Sequence, residues 1–324
     1  MLKNILITYG SSLLARYLAI QLAKKNYRCN LLNYRIVNKE PLPDNDNIHE
    51  SYLNPFDIKN LRHYLQDNAH DAIIHLNEPP FCKVSHKNYL RKLYVDIPEQ
   101  LAINAITNKS LLIYITPYLP GATAHAQSET ADTEGTSCPK RYHQLQIHTE
   151  RLLQKYILYG LEAYFIKYFY LYGNFQKNLL QDFFLLVEKK RFLLPDQELI
   201  LLLSNIEGIV DAIKRIFDRD IAFGATNLIT DRPVTLGYLI NEIYKLIHKE
   251  SFPDNRIKKP RTVRIFNFLI GILNPGIAYL KIHLLDNFRG LSSADRNFVE
   301  NSDNLPRIHL NNSFNYFRTW HRKN

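Results

Sequence analysis

The sequence predicts an α/β chain: a doubly wound parallel sheet followed by a smaller lobe. Three observations predict it. Ile5, Leu6 and Ile7 form a short apolar run that leads at once into a turn of small residues and then a helical pattern, Leu13, Leu14, Tyr17, Leu18 and Leu22. Further apolar runs of strand length recur at 28–33, 71–76, 111–116 and 162–168. Stretches with helical spacing separate them, at 58–66, 90–107 and 142–159. Strands that alternate with helices form a parallel sheet with helices on its faces, because each crossover must carry the chain back past the sheet. The polar stretch 123–137 is short of large apolar residues and reads as a mobile loop over the sheet. Beyond Gly173 the regularity falls, so residues 174–324 are expected to form a smaller, mostly helical, substrate-side lobe, with returns to the first domain near 199–230.

The opening strand, turn and helix have the layout of a Rossmann-like nucleotide-binding domain, spanning 1–173. The fingerprint G-x-x-G-x-x-G of that turn falls on Tyr9, Ser12 and Ala15. The first glycine allows the tight turn, the second lets a pyrophosphate approach the backbone, and the third packs helix on strand. Alanine in third place is a mild change. Tyrosine in first place puts a ring where phosphate or adenosine would lie. Gly10 is the one glycine left in the turn, and Leu13 and Leu14 supply the first helical N–H groups.

Bulk properties exclude several classes. A chain of 324 residues with 46% hydrophobic content can bury a large core. Cys29, Cys82 and Cys138 are odd in number and widely spaced, which suits neither a disulfide framework nor a zinc site. Met1-Leu2-Lys3 runs straight into the first strand, so no leader peptide is expected, and the expected setting is a bacterial cytoplasm. Residues 256–324 hold twelve Lys/Arg against four Asp/Glu, most of the chain's net charge of +10. Arg256, Lys258, Lys259, Arg261 and Arg264 precede an apolar stretch at 265–273. Such an element reads either as a solvated loop before a packed helix or as a contact for a protein partner or an anionic membrane surface. Asn267, Asn274, Pro275 and Lys281 leave too short a clean run to span a bilayer. No interleaved aromatic–basic motif speaks for nucleic acid. His75, His143 and His148 lack metal-ligand spacing, and neither a Walker loop nor a G-x-S-x-G elbow is present.

Taken in order, the segments ILITYGSSLLARYLA at the start, DAIIHLN at 71–77, LLIYITP at 111–117, YHQLQIHTERLL at 142–153, FIKYFYLYG at 165–173, SNIEGIVDAI at 204–213 and ATNLITDRPVTLGYLINEI at 225–243 resemble the extended short-chain dehydrogenase/reductases, the NAD-dependent epimerase/dehydratase group. FRGLSSADRNFVEN at 288–301 is similar to a C-terminal segment of the nucleotide-sugar members, in which an arginine contacts the diphosphate; Arg289 is the matching residue. KNYLRKLYVDIPEQLA at 87–102 and the pair Tyr34-Arg35 are similar to the NADPH-binding, non-catalytic accessory subunit of respiratory complex I.

The resemblance implies a catalytic Tyr-x-x-x-Lys pair on one helix and a Ser/Thr at a strand end. Here these positions read Tyr142, Gln146 and Thr116, the last followed by Pro117. A free tyrosine titrates near ~10, so ionising it at neutral pH needs roughly 3 units, about 4 kcal/mol. A glutamine carries no charge to supply that shift. Arg35 stands where an acidic residue would bind the adenosine ribose and would favour NADP over NAD. Asn77 replaces a small residue beside the nicotinamide, and Lys167 keeps the basic residue after the substrate-proximal strand. The expectation is therefore a member with degraded cofactor and catalytic motifs, a catalytically weak or inactive pseudoenzyme that binds a nucleotide or a partner, with no cofactor at all as one outcome. The alternatives are an active NAD(P)-dependent nucleotide-sugar epimerase, dehydratase or reductase of surface polysaccharide synthesis, and a structural subunit like that of complex I. A homodimer is one of the assemblies the sequence leaves open.

Overall fold

The computed structural model describes residues 3–34, 42, 45–54, 57–77, 87–118, 138–173, 179–189, 193–195, 200–258, 310, 313–315 and 318. Arg35, Cys82, the polar stretch 123–137, Arg289 and, of the basic segment, residues 259–309 lie outside these residues. The chain divides into two compact units, Met1–Tyr168 with Gly208–Ile229, and Phe169–Glu207 with Thr230–Asn324.

The first unit runs β1 (Asn4–Thr8), α1 (Leu13–Ala23), β2 (Arg28–Asn33), β3 (Ile48–Tyr52), α2 (Ile58–Asp67), β4 (Ala72–Leu76), α3 (Lys87–Arg91), α4 (Ile97–Asn108), β5 (Leu111–Pro117), α5 (Cys138–Ile157) and β6 (Glu162–Tyr168), and is completed later in the chain by α7 (Ile206–Phe217) and β11 (Thr226–Ile229). Its seven strands form one parallel sheet in the order β11-β6-β5-β4-β1-β2-β3. This is the expected doubly wound α/β sheet. Every residue of β4 and β5 is buried, as central strands covered on both faces must be, and that is why they read as unbroken apolar runs.

On one face Leu6, Leu32, Ile73, Leu112, Ala163 and Phe165 pack with Leu61 and Leu65 of α2, Leu101, Ala102 and Ala105 of α4, and Tyr142 and Leu153 of α5. On α1, Leu14, Ala15, Leu18, Ala19 and Leu22 are buried. That helix starts where it does because the Ser12 side chain accepts the Ala15 N–H at 3.1 Å, and α2 starts likewise at Asp57, which accepts Asn60 N–H at 3.1 Å.

Two elements depart from the expectation. The edge strand β3, Ile-His-Glu-Ser-Tyr, was not foreseen, because a half-exposed edge carries polar residues and shows no apolar run. The helix expected to be continuous over 90–107 is interrupted by a π-helical turn, Lys92–Asp96. Its wider spacing carries Leu93, Tyr94 and Val95 into the core in succession, and the Thr149 hydroxyl donates to the Tyr94 carbonyl there.

The second unit contains β7 (Tyr170–Tyr172), α6 (Leu179–Glu188), β8 (Leu194–Pro195), β9 (Ile200–Leu201), β10 (Leu203–Asn205), β12 (Val234–Thr235), α8 (Leu236–His248) and β13 (Ile257–Lys258). Its strands pair two by two, β10 with β7, β12 with β9 and β13 with β8. Leu180, Phe183, Phe184 and Val187 of α6 pack on Leu239, Ile240, Ile243 and Tyr244 of α8. Thr235 caps α8 by accepting Tyr238 N–H at 3.1 Å. Among the described residues no helix is long and apolar enough to cross a membrane, and no group of His, Cys, Asp and Glu could hold a metal ion.

Gly10 shows how tightly β1, α1 and β2 are joined. Its N–H donates to Leu32 O at 3.0 Å, and a Cβ at this position would lie 2.8 Å from the Leu31 Cβ and 3.1 Å from the Leu31 carbonyl carbon. Backbone cannot give way as a side-chain tip can, so Gly10→Ala should destabilise the chain by about 1–3 kcal/mol in urea unfolding.

Candidate functional site

The C-terminal ends of β1, β4, β5 and β6 meet α5 and the π-helical turn, and there the core changes from aliphatic to aromatic and polar. Tyr9, directly after β1, has φ +53°, the left-handed region that a glycine would enter without cost. Its carbonyl accepts Ser12 N–H at 2.7 Å, which closes the turn into α1. The ring is half-buried and its hydroxyl is enclosed. It meets Tyr34 edge-on at 5.2 Å between centroids and His75 at 6.2 Å, and its hydroxyl lies with that of Tyr94. Burial, with Tyr94 and Tyr34 nearby, holds this phenol well above its ordinary value of 10.

His75 on β4 is fully buried, shares a 2.8 Å hydrogen bond with Thr8 Oγ1, and stacks on Tyr114 at 5.7 Å. Asn77 follows β4, and its Nδ2 donates to the Tyr114 hydroxyl while its Oδ1 is enclosed without a partner. Tyr142 of α5 is buried, packs edge-on against Tyr94 at 4.9 Å, and donates its hydroxyl to Asn77 O at 2.7 Å. Thr116, fully buried, lies beside that hydroxyl. Gln146, one turn further along α5, donates to Pro117 O at 3.1 Å and to Glu150 Oε1 at 3.3 Å, and its Oε1 is enclosed without a partner. Lys167, beside Thr116 on β6, is drawn to the same carboxylate, with Nζ 2.7 Å from Glu150 Oε2.

The structure thus brings Tyr9, Asn77, Thr116, Tyr142, Gln146 and Lys167 to one end of the sheet. Gly10, Ser12, Leu13 and Leu14 form the adjoining turn, and Arg35 and Arg289 lie outside the described residues. Sequence reasoning missed Tyr34, His75, Tyr94, Tyr114 and Glu150 as parts of this cluster. His75 and Tyr114 sit inside apolar strand runs at the period that points to the α5 side, the one sequence signal that could have found them. Tyr94 had none, because its direction depends on the π-helical turn.

Two electrostatic facts follow. Burial, with Tyr168 and Tyr114 adding to it, pushes the Tyr142 phenol well above its ordinary value, so the group stays a hydrogen-bond donor. The cationic charge on Lys167 is matched by Glu150, so among the described residues this cation is not free to draw that phenol down.

No family model matches the sequence, and no curated protein resembles it closely enough to count as a match. Solved structures do match. An epimerase from Methanothermobacter thermautotrophicus aligns with 99% of this chain and 93% of its own, at 14% identity and a TM-score of 0.65. The Bordetella bronchiseptica enzyme WbmH, in complex with NAD+, aligns with 80% of this chain and 85% of its own, at 14% identity and 0.59. UDP-glucose 4-epimerase from Thermotoga maritima, with UDP-glucose, aligns over 80% and 86%, at 16% identity and 0.58. The chain has the fold of these enzymes, the arrangement expected from its resemblance to the extended short-chain dehydrogenase/reductases.

The cluster generates two expectations. Tyr142→Phe leaves the buried Asn77 carbonyl without its donor and should lower stability by about 1–3 kcal/mol in denaturant titration. Burial lowers the His75 pKa to about 3 and the His70 pKa to about 4, so below the ordinary value near ~6.5 the unfolded chain binds protons that the folded chain does not. Stability should therefore fall as pH drops from about 6.5 toward 3, each histidine adding at most ~1.4 kcal/mol per pH unit. His75→Gln should remove one proton's share of that slope in unfolding measured at several pH values.

Proposed function

We propose that this chain is a non-redox homologue of the epimerases whose fold it shares: a binding protein for a small hydroxyl-bearing ligand of the nucleotide-sugar kind, or for a protein partner, that carries out no hydride transfer. One observation carries the reading, the tyrosine-filled turn at Tyr9. A dinucleotide is held in this fold by bringing its pyrophosphate against a bare backbone at a helix N-terminus. Here a ring stands on that backbone and its hydroxyl is enclosed beside Tyr94. The residues present do not fit a nicotinamide dinucleotide bound in that way.

The rest of the cluster supports the same reading. A tyrosine acid/base needs a lowered pKa and a proton free to move. Burial raises the Tyr142 phenol, and its proton is given to a main-chain carbonyl. Gln146 is neutral, and its amide is turned toward Pro117 and Glu150. What the chain does offer is a pair of enclosed acceptors, Asn77 Oδ1 and Gln146 Oε1, and such atoms are satisfied by hydroxyl or N–H donors. A second reading, an active NAD(P)-dependent nucleotide-sugar enzyme, draws on the NAD+ and UDP-glucose complexes of the two neighbours named above. It requires Tyr9 to leave its place.

Titration of the full chain with NADH and with NADPH, followed by calorimetry and nicotinamide fluorescence, separates the two. The non-redox reading expects dissociation constants weaker than about 100 μM, less than about 5.5 kcal/mol of binding. The triple variant Tyr9→Gly, Ser12→Gly, Gln146→Lys should tighten binding by about tenfold or more, because it clears the turn and supplies a cation. A low-micromolar constant for either nucleotide with the unaltered chain overturns the reading.

A further inference from the structure

The outer edge of the first unit carries three features that the candidate site does not use. The first is main chain. β11 ends the sheet order, and Phe165 N–H donates to Ala225 O at 3.4 Å. In a parallel ladder alternate residues face the neighbouring strand, so Ala225, Asn227 and Ile229 face β6 while Thr226 and Leu228 turn their N–H and C=O groups outward. The second is a groove of about 450 Å³ between α5 and β11, with Ile147 and Phe165 in its apolar floor and Arg151 and Lys155 on its rim. Both cations are exposed, one helical turn apart, and neither has an acidic partner among the described residues. The groove's own acid, Glu150, is taken by Lys167. The third is an apolar cluster at the loops leading into β6 and β11: Leu158 is 83% exposed, Tyr159 75% and Phe223 59%. These loops are tied together, since Gly224 N–H donates to Ala163 O at 2.7 Å and Gln154 Nε2 to Gly224 O at 3.3 Å.

We propose that this edge receives an extended, acidic segment of a partner protein, added as an eighth strand beside β11. A strand laid there, about 4.8 Å away, would satisfy the outward groups of Thr226 and Leu228. Its alternate side chains would fall over the α5 groove, because Thr226 lines that groove while Ile229, of opposite parity, packs beside Gly208. Apolar side chains would meet Ile147, carboxylates would meet Arg151 and Lys155, and Leu158, Tyr159 and Phe223 would cover one end. A second copy of this chain suits the edge poorly: it carries a net charge of +10 and would set the same two cations against themselves. A bilayer suits it no better, since hydrocarbon would leave the outward main-chain groups unsatisfied.

Fluorescence anisotropy with the full chain tests this. The probes are a labelled peptide of the repeat valine–threonine–glutamate–threonine, which sets valine and glutamate on one face, its counterpart with lysine for glutamate, and the glutamate peptide N-methylated at every second amide. The glutamate peptide should bind at least about tenfold tighter than either of the others and weaken with salt. Arg151→Glu with Lys155→Glu should reverse the preference toward the lysine peptide. Thr226→Pro, which removes one outward N–H, should weaken binding of the glutamate peptide about tenfold. Should Thr226→Pro fail to fold, the charge reversal and the N-methylated peptide still decide. Three results overturn the proposal: no saturable binding, binding indifferent to N-methylation or to charge reversal, or an edge occupied otherwise. The last would show as self-association abolished by Thr226→Pro, or as retention on phosphatidylserine vesicles abolished by the charge reversal.

Discussion

The left-handed backbone at Tyr9 is the constraint around which the sheet's C-terminal end is arranged. A side chain in that conformation costs about 1–2 kcal/mol relative to glycine. The turn is held in it by two main-chain hydrogen bonds, Ser12 N–H to Tyr9 O and Gly10 N–H to Leu32 O. The ring it projects is offset by contact with Tyr34 and His75, aromatic pairs of the kind worth about 0.5–1.5 kcal/mol each. The space beside the turn is filled by these rings. From Tyr9 the aromatic packing continues without a break through His75 and Tyr114 to Phe165.

Charge follows the same logic. The resemblance places a lysine where this chain has Gln146, and a lone cation so near a phenol would lower that phenol's pKa. The cation nearest the cluster stands instead on β6, as Lys167, and Glu150 on α5 neutralises it at 2.7 Å. Gln146 bonds the other oxygen of the same carboxylate, so the three residues form one closed network beside Tyr142. Buried tyrosines, a buried neutral histidine and a matched ion pair amount to an interior that avoids uncompensated charge.

The strands were legible because burial on both faces imposes apolar runs, and β2 and β6 begin and end at the residues where their runs do. The edge strand β3 was not legible, since nothing compels an edge to be apolar. The π-helical turn at Lys92–Asp96 was hidden for another reason: propensity and periodicity do not distinguish it from α-helix, and it shows only in which side chains it turns inward. That turn is what places Tyr94 against Tyr142. Residue spacing put Tyr142 and Gln146 on one face of α5, but the acceptor of the Tyr142 proton is a main-chain carbonyl. No pattern of side chains in a sequence reports on that.

The two ends of this reading meet in the geometry of the first unit. A fold is kept as long as its core is kept, and the core here rests on the aliphatic layer of β1, β4, β5 and β6 rather than on the turn after β1. The turn could therefore change while the sheet stayed intact. Among the described residues, a surface with exposed cations that have no acidic partner, outward main-chain groups and exposed apolar side chains lies along α5 and β11. α5 carries both, since Tyr142 and Gln146 face inward while Arg151 and Lys155 face the groove. Filling the interior side of that helix leaves its position fixed, which is the condition an exposed docking groove requires.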